Sequence, residues 1–324
     1  MSFYFEYFNS ENLSQLFSVR EGEEKLGQKV RVNSTPIDLN GKFVIIGVAE
    51  DIGPRANLGF AGAEAGFNAF ITRFLNVQSN RFLNGSDIVV YGVVRCSETF
   101  SISDDLVELR NTVEHLDLLL EEVLQVVFSS GGIPIVIGGG HNNAYPIIKA
   151  YSHVNQKKID VLNIDPHADF RKLEGRHSGN SFSYAMQEGY LGKYTVLGLH
   201  QSYNSESMLQ DLEKNGVDFT FFEDYIDDKE VFYSDLSKFE DKQIGLEIDM
   251  DTIKQMPSSA YTPSGFSVEE MRRAIRSLSS SSDVVYLHLP EAAPQNEREA
   301  TFVGKVITYL VTDFIKKYSK TKVS

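Results

Sequence analysis

The stretch KIDVLNIDPHADFR, residues 158–171, joins an apolar run to a burst of charge. Apolar residues fall on both faces of KIDVLNID, without the clean alternation of a half-exposed strand, which predicts a strand covered on both sides. The run then stops at Asp-Pro-His-Ala-Asp. Residues i and i+2 of an extended segment point to one side, so Asp165 and His167 can converge on one point. Asp169 lies one loop turn further and can reach the same place. Two carboxylates and an imidazole therefore collect where a buried strand ends.

The same pattern recurs along the chain. KFVIIGVAE (42–50), DIVVYGVV (87–94), IPIVIGGG (133–140), KYTVLGLH (193–200), DFTFF (218–222), QIGLEID (243–249) and VVYLHLP (284–290) read as further strands. Helical spacing of apolar residues falls between many of them, at 62–75, 104–130, 143–154, 179–190, 205–216, 267–278 and 296–319. A Ser-x-x-Glu capping box opens the helix at Ser267, and Pro146 must sit in a first turn. The run SLSSSSD (277–283) reads as a helix-to-strand loop. Strands alternating with helices predict an α/β protein of three layers, α/β/α, around a mostly parallel sheet. With no repeat, low-complexity tract or long linker, residues 1–324 read as a single domain, with residues 1–40 an N-terminal extension packed on it.

The bulk composition narrows the partners. The formal charge is −14, from 45 acidic and 31 basic residues, which argues against nucleic acid and anionic membranes. A few local arginines could still hold an anionic small molecule. One cysteine, Cys96, allows no intrachain disulfide and fits a reducing, cytoplasmic setting. The N-terminal MSFYFEYFNSENL has no basic segment followed by an apolar one, so no signal peptide is expected. No run of eighteen apolar residues suggests a membrane span.

Ligands of parallel α/β sheets bind at the carboxyl ends of the strands. Besides Asp165, His167 and Asp169, those ends carry His141 after the glycines of GGGHNN, Asp249 and Asp251 of EIDMD, and Glu291 of HLPEAAP. Glycines 138–140 let the backbone bend tightly before His141. An isolated His-x-Asp or Asp-x-Asp is more often a cap or a turn. Four such ends are hard to explain that way. Buried together, these groups would repel one another unless cations lay between them. Oxygen-rich ligation with a minority of imidazole suits two manganese ions better than zinc or copper, and a metal pair can deprotonate water at neutral pH.

GGGHNN, DPHADFR, EIDMD and the later glutamate together resemble the signature of the ureohydrolase superfamily, which holds arginases, agmatinases and formimidoylglutamases. The motifs run in the same order from about residue 43 to beyond Glu291. The resemblance implies an arginase-like fold with two Mn2+ per chain. One metal would take His141, Asp165, Asp169 and Asp249. The other would take His167 and Asp251, sharing Asp165 and Asp249. It further implies attack of a metal-bridging hydroxide on a planar amidinium carbon, with Asp251 carrying the proton in transit and Glu291 orienting the substrate. Trimers or hexamers are implied as well.

Three departures from arginases carry the substrate information. Gly140 precedes the first histidine, Arg171 stands where an asparagine is common, and Phe182 falls where a mobile histidine would be. These features, with the run RANLGFAGA (55–63), resemble formimidoylglutamases, although Phe60 replaces their usual arginine. N-formimidoyl-L-glutamate has two carboxylates and needs more cationic partners than arginine does. Arg171 can bind a carboxylate bidentately, and Arg176, His177, Ser178 and Asn180 share its loop. Arg171 could equally form a surface pair with Glu174, and His177 could cap the loop. Glu247, where arginases often carry serine, reads as a group behind the ligands. The remaining readings are an arginase, an agmatinase or another guanidino-acid hydrolase, and a catalytically silent binding subunit.

Overall fold

The computed structural model describes residues 3–32, 38–97 and 104–322. Ten strands form one sheet. They are β1 (Phe3–Tyr7), β2 (Arg31–Val32), β3 (Phe43–Ala49), β4 (Ile88–Cys96) and β5 (Ile133–Ile137). The rest are β6 (Ile159–Ile164), β7 (Leu191–Leu199), β8 (Asp218–Phe221), β9 (Gln243–Ile248) and β10 (Asp283–Leu289). The order is β1-β4-β3-β5-β10-β9-β6-β7-β8, with β2 beside β4. Every pairing is parallel except β1 with β4.

Two apolar cores lie on the two sheet faces. In β3, Phe43 and Ile45 enter one, while Val44, Ile46 and Val48 enter the other. The helices Gly66–Phe74, Val268–Ser281 and Glu297–Lys322 supply Phe70, Ile275 and Leu310 to the first. The helices Leu106–Ser129, Ala144–Asn155 and Ser181–Gln187 supply Leu120, Ile147 and Phe182 to the second. Burial on both faces explains why the central strands show no polar alternation.

Several local expectations need correction. SLSSSSD is not a loop: the helix continues to Ser281. The hydroxyls of Ser279, Ser280 and Ser281 donate back to the carbonyls of Ile275, Arg276 and Ser277, so these serines satisfy themselves within the helix. FYFEY, read only as part of an extension, is the antiparallel edge strand β1, with Phe3 opposite Cys96. Two helices, Phe222–Asp227 and Lys229–Ser237, fill a stretch whose acidic residues masked its periodicity. Among the described residues, no helix is long and apolar enough to cross a membrane.

Candidate metal centre

The site lies where β5, β10, β9 and β6 end. These four strands are consecutive neighbours, so their carboxyl ends form one continuous rim. After β5, Gly138 and Gly139 take left-handed conformations with φ of 86° and 69°. A Cβ on Gly139 would lie 2.5 Å from Asn143 Nδ2 and 2.8 Å from Glu50 Oε1. Only glycine lets the chain turn there and deliver His141 at the start of a short 3-10 turn. Asp169 and Glu291 also adopt left-handed backbone, at φ of 45° and 68°. This is an uncommon state for residues with a Cβ, and it is the kind of strain that clusters at functional sites.

His141 is fully buried. Its Nδ1 lies 2.9 Å from carboxylate oxygens of Asp169 and Asp249 and 3.2 Å from one of Asp165. None of these contacts has hydrogen-bond geometry, so a buried ring nitrogen faces three carboxylates without a bond. One imidazole nitrogen and three carboxylate oxygens mutually within 4.8 Å form a suitable donor set for a divalent cation. A second, more open group adjoins it. His167 Nδ1 is 3.6 Å from Asp165 Oδ1 and 3.7 Å from Asp251 Oδ2. Asp165 thus faces both imidazoles.

Backbone donors orient the carboxylates. The His167 N–H donates to Asp165 Oδ1 and the Asp251 N–H to Asp249 Oδ1, each at 2.7 Å. The Asn163 amide donates to Asp165 Oδ2 at 3.0 Å. Glu291 accepts the His141 N–H at 2.6 Å on one oxygen and the Ser259 hydroxyl on the other.

The electrostatics match a site built for cations. Burial, then the charges of neighbouring aspartates, pushes Asp169 and Asp249 above the usual carboxylate range. Burial and Asp251 raise Glu291 to about 8. Burial works to lower His167, but Asp165, Asp251 and Asp169 outweigh it and lift it to about 10. Asp165 is held low because His141 and His167 overcome the opposing effect of its burial. Protons held here on imidazoles balance the carboxylates, and metal binding displaces such protons.

A cavity of about 310 Å³ opens over these groups, lined among others by Asn57, His167, Arg171, Ser178, Tyr203 and Glu291. A larger hollow of about 660 Å³, walled by Lys193, Asp218 and Lys242, gathers no metal-ligating set among the described residues, so size does not locate the chemistry. Arg171 reaches the cavity wall with its side chain about half exposed, and also pairs with Glu174 at 3.3 Å. Arg171 thus forms the ion pair with Glu174 and also lines the cavity.

Other residues of its loop brace the turn. His177 is buried and does not line the cavity. Its Nδ1 accepts the Gly179 N–H at 3.1 Å, and Nε2 lies 3.3 Å from Glu174. Burial, with Arg110 and Arg171 nearby, lowers its pKa to about 4. Asn180 Oδ1 accepts from Arg176 at 2.6 Å and from the His177 N–H at 3.1 Å, while Nδ2 donates to the Gly175 carbonyl. Arg176 is buried in an ion pair with Asp117 at 2.9 Å. A tight turn leaves many backbone groups unpaired, and these side chains satisfy them. Of this loop's residues Arg171 to Asn180, Arg171, Ser178 and Gly179 line the cavity.

Glu50 was missed by the sequence reading. It is buried just beyond β3, and its two oxygens accept five hydrogen bonds. The donors are the N–H groups of Ile52, Gly53 and Gly140 and the amides of Asn142 and Asn143. It thereby ties the His141 turn to β3. The signal was available, since Glu50 ends the strand KFVIIGVAE.

Comparisons with known proteins agree with this geometry. The family model described as "Arginase family" matches residues 41–314. A formimidoylglutamase of Macrococcus caseolyticus is 26% identical over 305 residues, covering 92% of this chain and 90% of the relative. One of Staphylococcus carnosus is 29% identical over 192 residues, 58% of this chain and 56% of the relative. Among solved structures, the Trypanosoma cruzi formiminoglutamase with Mn2+ superposes with a TM-score of 0.75 at 22% identity, covering 92% of this chain and 99% of that one. The Bacillus subtilis formimidoylglutamase gives 0.75 at 16% identity, covering 94% and 95%. The arginase-type sheet, its rim of histidine and aspartate ligands, and a family match over most of the sequence lead to one conclusion: this chain belongs to the arginase family.

Proposed function

We propose that the chain is a binuclear manganese hydrolase of linear amidines, converting N-formimidoyl-L-glutamate and water to glutamate and formamide. The observation that carries this reading is the His141, Asp165, Asp169 and Asp249 group with His167 and Asp251 beside it, and an arginine on the wall of the same cavity. The relatives named formimidoylglutamase support the choice of substrate. Two bound metals would supply a nucleophile by lowering the pKa of water. His141, Asp165, Asp169 and Asp249 would hold one ion. His167 and Asp251 would hold the other, with Asp165 and Asp249 shared.

The remaining roles fall to this chain's own groups. Glu291 pairs with the N–H groups of the cationic amidine and places its carbon over the rim. Such a preorganised charge acts where charge develops. Asp251 accepts the proton released in the attack and returns it to the departing glutamate nitrogen, so that the C–N bond breaks as an amine leaves. Arg171 and Ser178 hold substrate carboxylate. His177 and Asn180, proposed from sequence as substrate contacts, keep the Arg171 loop in shape. We place the activity in a single catalytic domain, residues 1–324 with residues 1–40 packed on it, in a cytoplasmic homo-oligomer, trimer or hexamer.

A panel of amidines and guanidines with added Mn2+ tests the reading. Formamide release from formimidoylglutamate is expected to exceed urea release from arginine or agmatine. The reverse order would make the chain an arginase or agmatinase. Protein that never retains metal would make it a silent binding subunit. Within the panel, Arg171→Ala is expected to raise KM for formimidoylglutamate about tenfold with metal content unchanged. A hydrogen bond to a charged group contributes about 1.5–3 kcal/mol, and the half-exposed position argues for the low end. Metal loss in this variant would instead mark Arg171 as structural.

A further inference from the structure

Behind the rim lies a buried chain of polar groups that the ligand assignment does not use. Glu247 precedes Asp249 by two residues on β9 and is fully buried. On the neighbouring β10, His288 is its register partner. Glu247 Oε2 lies 2.5 Å from His288 Nδ1, and Oε1 accepts the Tyr286 hydroxyl at 2.8 Å. Tyr286 can lie this way because the residue opposite it is Gly245. A Cβ there would come within 2.3 Å of the tyrosine ring. Two bonds from β10 therefore hold the carboxylate in one orientation.

That orientation aims at His141. Glu247 Oε2 stands 3.5 Å from His141 Nε2, and Nε2 has no hydrogen-bond partner among the described residues. The His141 ring has little freedom, since Phe182 and His288 pack edge-on against it with centroids 5.3 and 5.8 Å away. The separation exceeds that of an ordinary hydrogen bond by about 0.3–0.8 Å.

We infer that Glu247 is a positioning residue for the metal centre of His141. It accepts a hydrogen bond from Nε2–H, fixes the tautomer in which Nδ1 is free, and so directs that lone pair into the space bounded by the Asp165, Asp169 and Asp249 oxygens. A ligating histidine commonly donates its other N–H to a carboxylate, and losing that partner typically weakens metal binding 10–100-fold. Glu247 does not face His167, so the effect falls on one centre of the pair. The inference rests on the proposed binuclear site, and its test reads metal binding rather than turnover.

The full chain is stripped of metal and titrated with Mn2+, with free ion followed by electron paramagnetic resonance and the melting temperature of the metal-free protein measured alongside. Wild type is expected to bind two equivalents. Glu247→Ala is expected to keep one at wild-type affinity and bind the other about 10–100-fold more weakly. Glu247→Gln, whose amide oxygen still accepts from Nε2–H, is expected to fall between them. It decides the matter alone if the alanine variant does not fold. Wild-type affinity at both centres in the folded variants overturns the inference. So does equal weakening of both with a matching fall in metal-free melting temperature, which marks a purely structural role. Glu247, His288 and His141 also lie close enough to hold an ion themselves. A third equivalent lost on Glu247→Ala would replace positioning by ligation. Fewer than two equivalents in wild type would sink the binuclear reading itself.

Discussion

Asp249→Asn is expected to abolish turnover while leaving the metal-free protein at least as stable as wild type. Asp249 Oδ2 stands 2.9 Å from His141 Nδ1, and Oδ1 accepts the Asp251 N–H at 2.7 Å. Asparagine keeps the second contact through its carbonyl, and the first has no hydrogen bond to lose. The fold therefore loses no hydrogen bond. What it loses is one negative charge from a buried group that also contains Asp165, Asp169, Asp251 and Glu291. Relief of that repulsion is expected to raise the metal-free melting temperature by a few degrees, at about 1.5 °C per kcal/mol for an unfolding entropy of roughly 2.1 cal/mol/K per residue. The proposed shared ligand is lost, however, and both metals are expected to go with it. Water outside a metal site has a pKa near 15.7 rather than about 7, so activity is expected to fall at least about a thousandfold. Calorimetry of metal-free protein and a formamide assay with saturating Mn2+ check the two halves. Near-normal activity would remove Asp249 from the metal centre. A markedly lower melting temperature would show that its charge stabilises the fold.

Glu50→Ala is expected to act in the opposite sense, as a stability lesion outside the ligand set. Five donors converge on its buried carboxylate, three of them backbone N–H groups. Each donor left unpaired in the interior costs about 1–3 kcal/mol. Water entering the vacated space offsets some of this, which leaves a net loss of roughly 4–5 kcal/mol. The melting temperature is expected to drop by about 6–7 °C. Because Gly140 loses its anchor to β3, Mn2+ affinity is expected to fall as well. A denaturant titration with unchanged midpoint would show that the turn holds itself without Glu50.

These expectations depend unequally on what could be seen in the primary structure. The rim residues His141, Asp165, His167, Asp169, Asp249, Asp251 and Glu291 were all legible, because each follows an apolar run and parity along a strand is a local property. The parallel α/β class was legible from the same runs. Glu50 was legible in principle, since it also ends a strand, but nothing local says that five donors meet it. The loop Arg171–Asn180 was the hardest stretch. Its arginines, histidine and asparagine are all plausible substrate contacts by type. Which of them face the cavity depends on the turn they themselves stabilise.

The sequence alone determined the chemistry available: imidazoles and carboxylates at strand ends, glycines where the chain must bend, and one arginine after the second motif. Tertiary structure decided the neighbourhoods. Strand order β5-β10-β9-β6 brings together ends that are separated by up to 150 residues of chain. It also sets His288 and Tyr286 against Glu247, and it turns His177 inward while Arg171 remains at the cavity wall. The physical reason is that parity, capping and turn formation act over a few residues. Strand pairing and the sharing of buried donors are instead settled by contacts between distant segments, where every buried polar group must find a partner.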